Sequence, residues 1–550
     1  MKNKFFADVF DKCCIVSVID KFMSSEIFAF LSLYLAVLII PLVFIRFDYH
    51  SVSFVISLFL CSVSSFSLLK RFDKLPLLRL FFLIFPCFFY VLQLIPVSIN
   101  SRGLTKDDIM AVFQTNVPEA CDYLTNNLHI LRIVYFLVLL CVLFAFIYLS
   151  VKQNARKKNL ISNSATALAC LITGLFLMYF NRDNSLVQPI REAVYQIKVY
   201  RRFYANLKNN RKPDSVRKNT PKGIYVVVIG ESQNKNHMSV YGYARHPTTP
   251  YLSEMKKNKN WLFFDNAHSC HTHTILVLTY ALTQKNIYNA INLQDAYSIM
   301  EILHEFDTYW ISNQKAIGNF GEPITEIGLQ AKTPVFINKS FIEENPYDAS
   351  LLKELPEERQ LQNTAVIFIH LMGNHSKYNL RYPDDFKKWD DNYDNSILYN
   401  DYIVRQIYNH FSSMKNFMAF IYFSDHSEDP KCGCHDASRF TWEMTKIPFY
   451  AYFSDDYIDK YSQKYKTLKD HLHTPFTNDM MFDTLLGILD ITDKRFYVPE
   501  DDLSDIRYNH TMANLSTLHG ERLLSDETAE NLQSYSLEKT LELYKKKSNK

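Results

Sequence analysis

Hydrophobic and polar positions divide the chain into two regimes. Up to about residue 181, five charge-free apolar runs stand out, at 27–45, 52–69, 80–99, 133–151 and 160–180. Each approaches the roughly 20 residues that a helix rising about 1.5 Å per residue needs to cross a bilayer core. Beyond residue 222 the pattern changes. Short apolar runs of strand length (223–229, 307–312, 365–370, 417–423, 448–453) alternate with stretches of helical length such as 398–415. That alternation predicts an α/β domain with a mainly parallel sheet flanked by helices. No internal repeat is visible. The expected organisation is a five-span transmembrane domain over 1–181 with a loop at about 100–130, a linker over 182–222, a soluble domain over 223–525 and a tail over 526–550.

Basic residues orient the spans. Lys2, Lys4, Lys12 and Lys21 precede the first, Lys70, Arg71, Lys74 and Arg79 separate the second from the third, and Lys152, Arg156, Lys157 and Lys158 separate the fourth from the fifth. All three clusters share one side, the cytoplasmic side by the positive-inside rule. An odd number of spans then places everything after Phe180 across the membrane. In the linker, Arg201-Arg202 and Arg211-Lys212 suit either anionic headgroups or a solvated helix. The net charge of +3 over 550 residues gives no basis for a nucleic-acid partner.

Of ten cysteines, Cys13, Cys14, Cys61, Cys87, Cys141 and Cys170 lie in or before the apolar runs and act as small apolar residues. Cys121, Cys270, Cys432 and Cys434 would face an oxidising compartment, where disulfides persist. Their pairing does not follow from sequence.

The chemistry sits at strand ends. Val226-Val227-Val228-Ile229 ends in Gly230-Glu231-Ser232, and Phe420-Ile421-Tyr422-Phe423 ends in Ser424-Asp425-His426. Open α/β sheets bind ligands beyond the carboxyl ends of their strands. Glu231, Asp425 and His426 together offer two oxygen donors and one nitrogen, a set that suits Zn²⁺ with a fourth position open. Fifteen of the 17 histidines lie in the second regime. His370 to His375 closes one strand, and His268, His271 and His273 surround Cys270. His304, His410, His471, His473, His510 and His519 are assigned structural roles, because a lone histidine usually serves a hydrogen bond.

At these residues the chain resembles the phosphoethanolamine transferases of Gram-negative inner membranes, in the alkaline phosphatase and sulfatase superfamily. The resemblance rests on Val228 to Ser232, Met238-Ser239-Val240-Tyr241-Gly242-Tyr243, Thr248-Thr249-Pro250, His370 to His375, Arg381-Tyr382-Pro383, Tyr393-Asp394-Asn395, Tyr399-Asn400-Asp401 and Ser424-Asp425-His426. Trp310 to Gln314 is similar to the branch that modifies the lipopolysaccharide core. The family implies an alkaline-phosphatase-like domain in the periplasm and a zinc site built from Glu231, a threonine nucleophile, Asp425 and His426. For the threonine, the core-modifying branch's spacing selects Thr274 and the lipid A branch's Ser-Cys-Gly-Thr selects Thr272. It implies substrate-phosphate contacts at His375 and His435, with Glu428 nearby, and a donor-headgroup loop at Gln114, Thr115 and Glu119. It further implies phosphatidylethanolamine as donor and lipopolysaccharide, core or lipid A, as acceptor, through a phosphothreonine intermediate. Phosphoglycerol transfer or sulfatase-type hydrolysis on the same fold, and an inactive membrane sensor or scaffold, are the alternatives. The family's Gly after Asp-His is Ser427 here, and Cys432-Gly433-Cys434 just before His435 is a second departure, to which the sequence gives no role.

Overall fold

The computed structural model describes residues 49–528, with part of 30–37, apart from 72–74, 86, 101–102, 115–129, 156–159, 162, 182–185, 316–322, 339–345 and 362–363. Two compact units divide at Gln196 and Ile197.

In the first unit, the described residues hold two helices long and apolar enough to cross a membrane, Ser51–Leu69 and Arg132–Ala155. A third candidate is the pair Pro76–Ile84 and Cys87–Leu94, bent by 44°, and Ser164–Phe180 is a shorter apolar helix. The expected first span, 27–45, falls largely outside the described residues, so the described helices do not establish five spans. Gly174 lets Ser164–Phe180 approach Tyr49–Leu69: a Cβ there would lie 2.6 Å from Cys61 Sγ and 3.0 Å from the Ser57 carbonyl. Small residues at a helix crossing permit this close packing in lipid. Phe144, Phe176 and Phe180 stand more than half exposed, as lipid-facing side chains do.

The second unit is built on a seven-stranded sheet. Its strands are β1 (Ile224–Gly230), β2 (Trp261–Phe264), β3 (Asp307–Ser312), β4 (Thr333–Phe336), β5 (Ala365–His370), β6 (Phe417–Ser424) and β7 (Phe449–Phe453), in the order β2-β7-β6-β1-β5-β3-β4. From β6 through β4 all neighbours are parallel, as expected. The sheet is nevertheless mixed, because β7 pairs antiparallel with β6 and β2 antiparallel with β7. All seven residues of β1 are buried. Alternate side chains go to opposite faces of a strand. Tyr225, Val227 and Ile229 accordingly join the core that contains helices Thr274–Ala281 and Met481–Ile488. Ile224, Val226 and Val228 join the core beneath helix Asn392–Ser412.

Helix Gln188–Lys208 enters this unit, burying Phe203 and Leu207 in the first core. Arg211 is engaged within the domain: its guanidinium reaches buried Glu301 at 3.1 Å and the carbonyls of Asp295 and Ala296.

Candidate active site

The parallel centre of the sheet aims three strand ends at one place. β1 delivers Glu231, its neighbour β6 delivers Asp425 and His426, and β5 on the other side ends at His370. Glu231, Asp425 and His426 are all buried, with one donor atom from each lying within 4.8 Å of the others. His426 Nε2 lies 3.3 Å from Glu231 Oε1 and 3.4 Å from Asp425 Oδ2.

Backbone and neighbours fix each donor. Gly230 has no room for a side chain: a Cβ would sit 2.1 Å from the Tyr422 hydroxyl, which donates to Gln233 Oε1 at 2.6 Å. Ser232 takes a left-handed φ of 56°. In that conformation its N–H donates to Asp425 Oδ1 at 3.1 Å and its hydroxyl to Glu231 Oε1 at 2.7 Å. The His426 N–H also donates to Asp425 Oδ1, at 2.6 Å. His426 Nδ1 lies 3.1 Å from the Ser427 carbonyl, so Nδ1–H donates outward and Nε2 is the nitrogen that faces Glu231 and Asp425. Ser427, where the resemblance implies Gly, thus offers its backbone carbonyl to the His426 ring.

The donor set fits a divalent cation. Asp425 Oδ2 is buried with no hydrogen-bond partner. Burial, together with the charge of Glu231, pushes the Asp425 carboxyl up to about 7. Burial opposes a charge on the His426 ring, but the two carboxylates push it up to about 10. Burial likewise opposes a charge on Glu231, yet His426 holds its carboxyl well below the usual range. With the protons of Asp425 and His426 gone, two buried carboxylates would face one neutral imidazole, an excess of negative charge that a divalent cation would balance.

Thr274 opens helix Thr274–Ala281, with His273 extended at its cap. Its hydroxyl lies 3.2 Å from Glu231 Oε2 and 3.4 Å from His426 Nε2. Thr272 is fully buried, and its hydroxyl has no hydrogen-bond partner. Of the two threonines read from the sequence, the one brought to the triad is Thr274. The helix N-terminus beside it favours phosphate.

The histidines form a rim. The His435 ring is 4.5 Å from that of His426 and 6.4 Å from that of His375. Its Nδ1 lies 3.0 Å from Glu428 Oε2, and Glu428 is fully buried. The expected group of His375, His435 and Glu428 therefore assembles beside the triad. Gln114 closes helix Lys106–Gln114, and Thr115 and Glu119 lie outside the described residues.

Three residues carry contacts here that the sequence did not assign. Gln314 follows β3 and donates from Nε2 to Glu231 Oε2 at 3.3 Å and to the Leu371 carbonyl at 2.8 Å. The strand-end rule that found Glu231 would have found it. The His273 ring is 5.6 Å from that of His435. His519, assigned a structural role, stacks on Tyr280 at 4.1 Å, and its N–H donates to the Cys270 carbonyl. It does support the structure, but that of the helix that carries Thr274. A small cavity of about 40 Å³ opens beside Thr274, lined in part by Trp310, Gln314, Lys315, Phe336 and His370.

The cysteine pattern resolves in part. Cys432 pairs with Cys434, and Cys270 is a fully buried free thiol. Cys121 lies outside the described residues.

Comparison with known proteins places this geometry. The sulfatase family model matches residues 224–491. The phosphoethanolamine transferase EptC of Escherichia coli K12 is 30% identical over 288 residues, covering 45% of this chain and 49% of that protein. EptA of Helicobacter pylori, also a phosphoethanolamine transferase, is 28% identical over 290 residues, covering 48% and 53%. The chain spans about half the length of these curated relatives. Among solved structures, the C-terminal periplasmic domain of E. coli EptC in complex with Zn superposes with a TM-score of 0.51 at 24% identity, over 57% of this chain and 96% of that one. The integral membrane protein EptA of Neisseria meningitidis gives 0.53 at 18% identity, over 82% and 97%. These two likenesses speak to the fold.

Proposed function

We propose that this chain, whose residues 224–491 match the sulfatase family model and which is similar to phosphoethanolamine transferases, moves phosphoethanolamine from phosphatidylethanolamine to lipopolysaccharide, on the core or lipid A, at the periplasmic face of the inner membrane. One observation carries the reading: a threonine hydroxyl at a helix N-terminus lies within 3.4 Å of two members of a buried metal-type triad.

Glu231, Asp425, His426 and Thr274 are the residues that would hold Zn²⁺. When bound, the ion offsets charge on a phosphoryl oxygen and eases deprotonation of the threonine hydroxyl. Thr274 Oγ1 forms a bond to phosphorus as the bond to the diacylglycerol oxygen breaks, and the proton leaves with diacylglycerol. The acceptor oxygen then forms its bond to phosphorus and the Thr274 ester breaks, restoring the hydroxyl. His375 and His435 hold the phosphoryl oxygens during both displacements. Positioning and electrostatics supply most of the rate. Gln114, Thr115 and Glu119 meet the donor headgroup, Glu119 pairing with its ammonium. A sulfatase-type nucleophile at Cys270 is disfavoured, because that thiol is fully buried.

The test is transfer itself. The full chain in vesicles of phosphatidylethanolamine, given lipopolysaccharide, should release diacylglycerol and add phosphoethanolamine to lipopolysaccharide, both read by mass spectrometry. Glycerophosphate transfer from phosphatidylglycerol, or release of free phosphoethanolamine without labelled acceptor, would overturn the reading.

A further inference from the structure

The segment Glu428–His435 begins and ends on two groups that meet: buried Glu428 accepts from His435 Nδ1–H at 3.0 Å. The chain between them doubles back tightly. Asp429 and Cys434 form an antiparallel bridge, and the Asp429 carbonyl accepts from the N–H groups of Cys432, Gly433 and Cys434 at 3.2, 2.9 and 3.4 Å. The Asp429 side chain is itself tied down, accepting from Lys431 N–H and the Thr441 hydroxyl. At the tip, Cys432 is bonded to Cys434 across a single residue, Gly433, at φ +60°. Cys432 and Gly433 are exposed, and Cys434 is buried.

A disulfide stabilises a fold by closing a loop of the unfolded chain, and its effect grows with the length of that loop. A loop holding one residue is the limit in which that effect is smallest. The bond therefore contributes little to the stability of a domain of this size, and its role is local. What it constrains is the residue that follows. His435 is the hub of the histidine rim, with its ring 4.5, 5.6 and 6.4 Å from those of His426, His273 and His375. Glu428 holds the His435 ring, and the Asp429–Cys434 bridge holds the backbone just before it. The disulfide closes the exposed tip, Cys432 and Gly433, onto that bridge, where turn hydrogen bonds alone would exchange readily with water.

We infer that the Cys432–Cys434 disulfide is the positioning clasp of His435, so that phosphoryl transfer requires it closed while the fold and the metal triad do not. The inference rests on the function proposed above, in which His435 holds the phosphoryl group. An oxidising compartment keeps the clasp shut, and the exposure of Cys432 leaves it open to an added dithiol. Reduction breaks the S–S bond, places two electrons and two protons on the two sulfurs and converts the dithiol to its own disulfide.

The experiment uses the full chain, zinc-loaded, in oxidised and dithiothreitol-reduced forms, with alkylation and peptide mapping to confirm which cysteines open. Reduction should lower kcat for transfer about tenfold or more with zinc content and thermal melting unchanged, and diamide should restore the rate. The double variant Cys432→Ser with Cys434→Ser should match the reduced protein and ignore dithiothreitol. In His435→Ala, reduction should lower the rate no further. A reduced protein that transfers at the oxidised rate, or a His435→Ala protein that loses the full factor again, overturns the clasp. A second readout needs no transfer. Peptide-resolved modification by diethyl pyrocarbonate should rise severalfold at His435 on reduction and stay constant at His375, and an unchanged rate at His435 overturns the clasp. Failure of the oxidised protein to transfer at all would instead strike the proposed function, with the modification rates still deciding the clasp.

Discussion

Asp425→Asn isolates charge from shape at the triad. The amide keeps an oxygen for the Ser232 and His426 N–H groups, which Asp425 Oδ1 now accepts at 3.1 and 2.6 Å. What disappears is the anion at Oδ2, 3.4 Å from His426 Nε2. Two unit charges at that separation interact by about 5 kcal/mol at an effective dielectric constant near 20. A divalent ion held by both atoms lies closer and carries twice the charge. The variant also avoids desolvating one carboxylate, which offsets part of the loss. A weakening of zinc binding by about a thousandfold, roughly 4 kcal/mol, is the expected net effect. Thermal melts in buffered zinc measure it. At a free zinc of about 100 times its Kd the wild type gains about 2.7 kcal/mol, and a variant a thousandfold weaker gains under about 0.1. The wild type should therefore melt several degrees higher with zinc than without, and the variant should not respond. Without zinc the order should reverse or level, because burial and Glu231 make the Asp425 carboxylate costly. An Asp425→Asn protein with the wild-type zinc response would refute the assignment of this triad as the metal site.

Thr274→Ala should abolish turnover and the covalent intermediate, whereas Thr272→Val should retain both, since the buried Thr272 hydroxyl has no partner to lose. Peptide mass spectrometry across 266–285 after incubation with phosphatidylethanolamine would decide, and label on Thr272 would reverse the choice. Gly230→Ala should cost about 1–3 kcal/mol in urea denaturation. Its new Cβ meets a tyrosine whose ring is stacked on Tyr450 at 4.6 Å and has nowhere to retreat. The Arg495 guanidinium, at 2.6 Å, holds the Asp493 carboxyl well below the usual range. Its folded-state pKa lies below its unfolded value of about 3.8, so its stabilisation is present above about pH 4 and lost as pH falls below that. Asp493→Asn should accordingly flatten the acid limb of the stability profile, and an unchanged limb would count against the pair. A topology reporter after Arg182 should report the periplasm and one after Lys157 the cytoplasm, and the opposite result would mean an even number of spans.

Strands buried on both faces announce themselves as uninterrupted apolar runs, which is why β1, β5 and β6 were legible to within a residue and why the polar residues that end them gave the triad. The edges were not. β4 is four residues long and contains Pro334, and β2 is the aromatic run Trp261–Phe264, too short to distinguish from a loop. The antiparallel turn of β7 was also hidden, because pairing direction depends on where the intervening loop crosses the sheet and not on any strand's composition. Helix Asn392–Ser412 starts six residues before the expected 398. Asp391 caps it, accepting from the N–H groups of Tyr393 and Asp394, and carries it through polar residues that looked like loop. Thr274 over Thr272 needed the helix start itself. His519 lies 245 residues from Thr274 in the chain, and no local pattern predicts that it braces the same helix.

The left-handed backbone at Ser232 has a consequence for how this protein can change. Left-handed backbone is costly for a serine and costless for glycine. A screen that rewarded only heat resistance would therefore accept glycine at 232 and select the looser residue. Yet the hydroxyl that glycine lacks is the one that aims Glu231, and any gain in melting temperature would come with a carboxylate free to turn away from the triad. Ser232 is thus a position where durability and the aim of Glu231 pull in opposite directions.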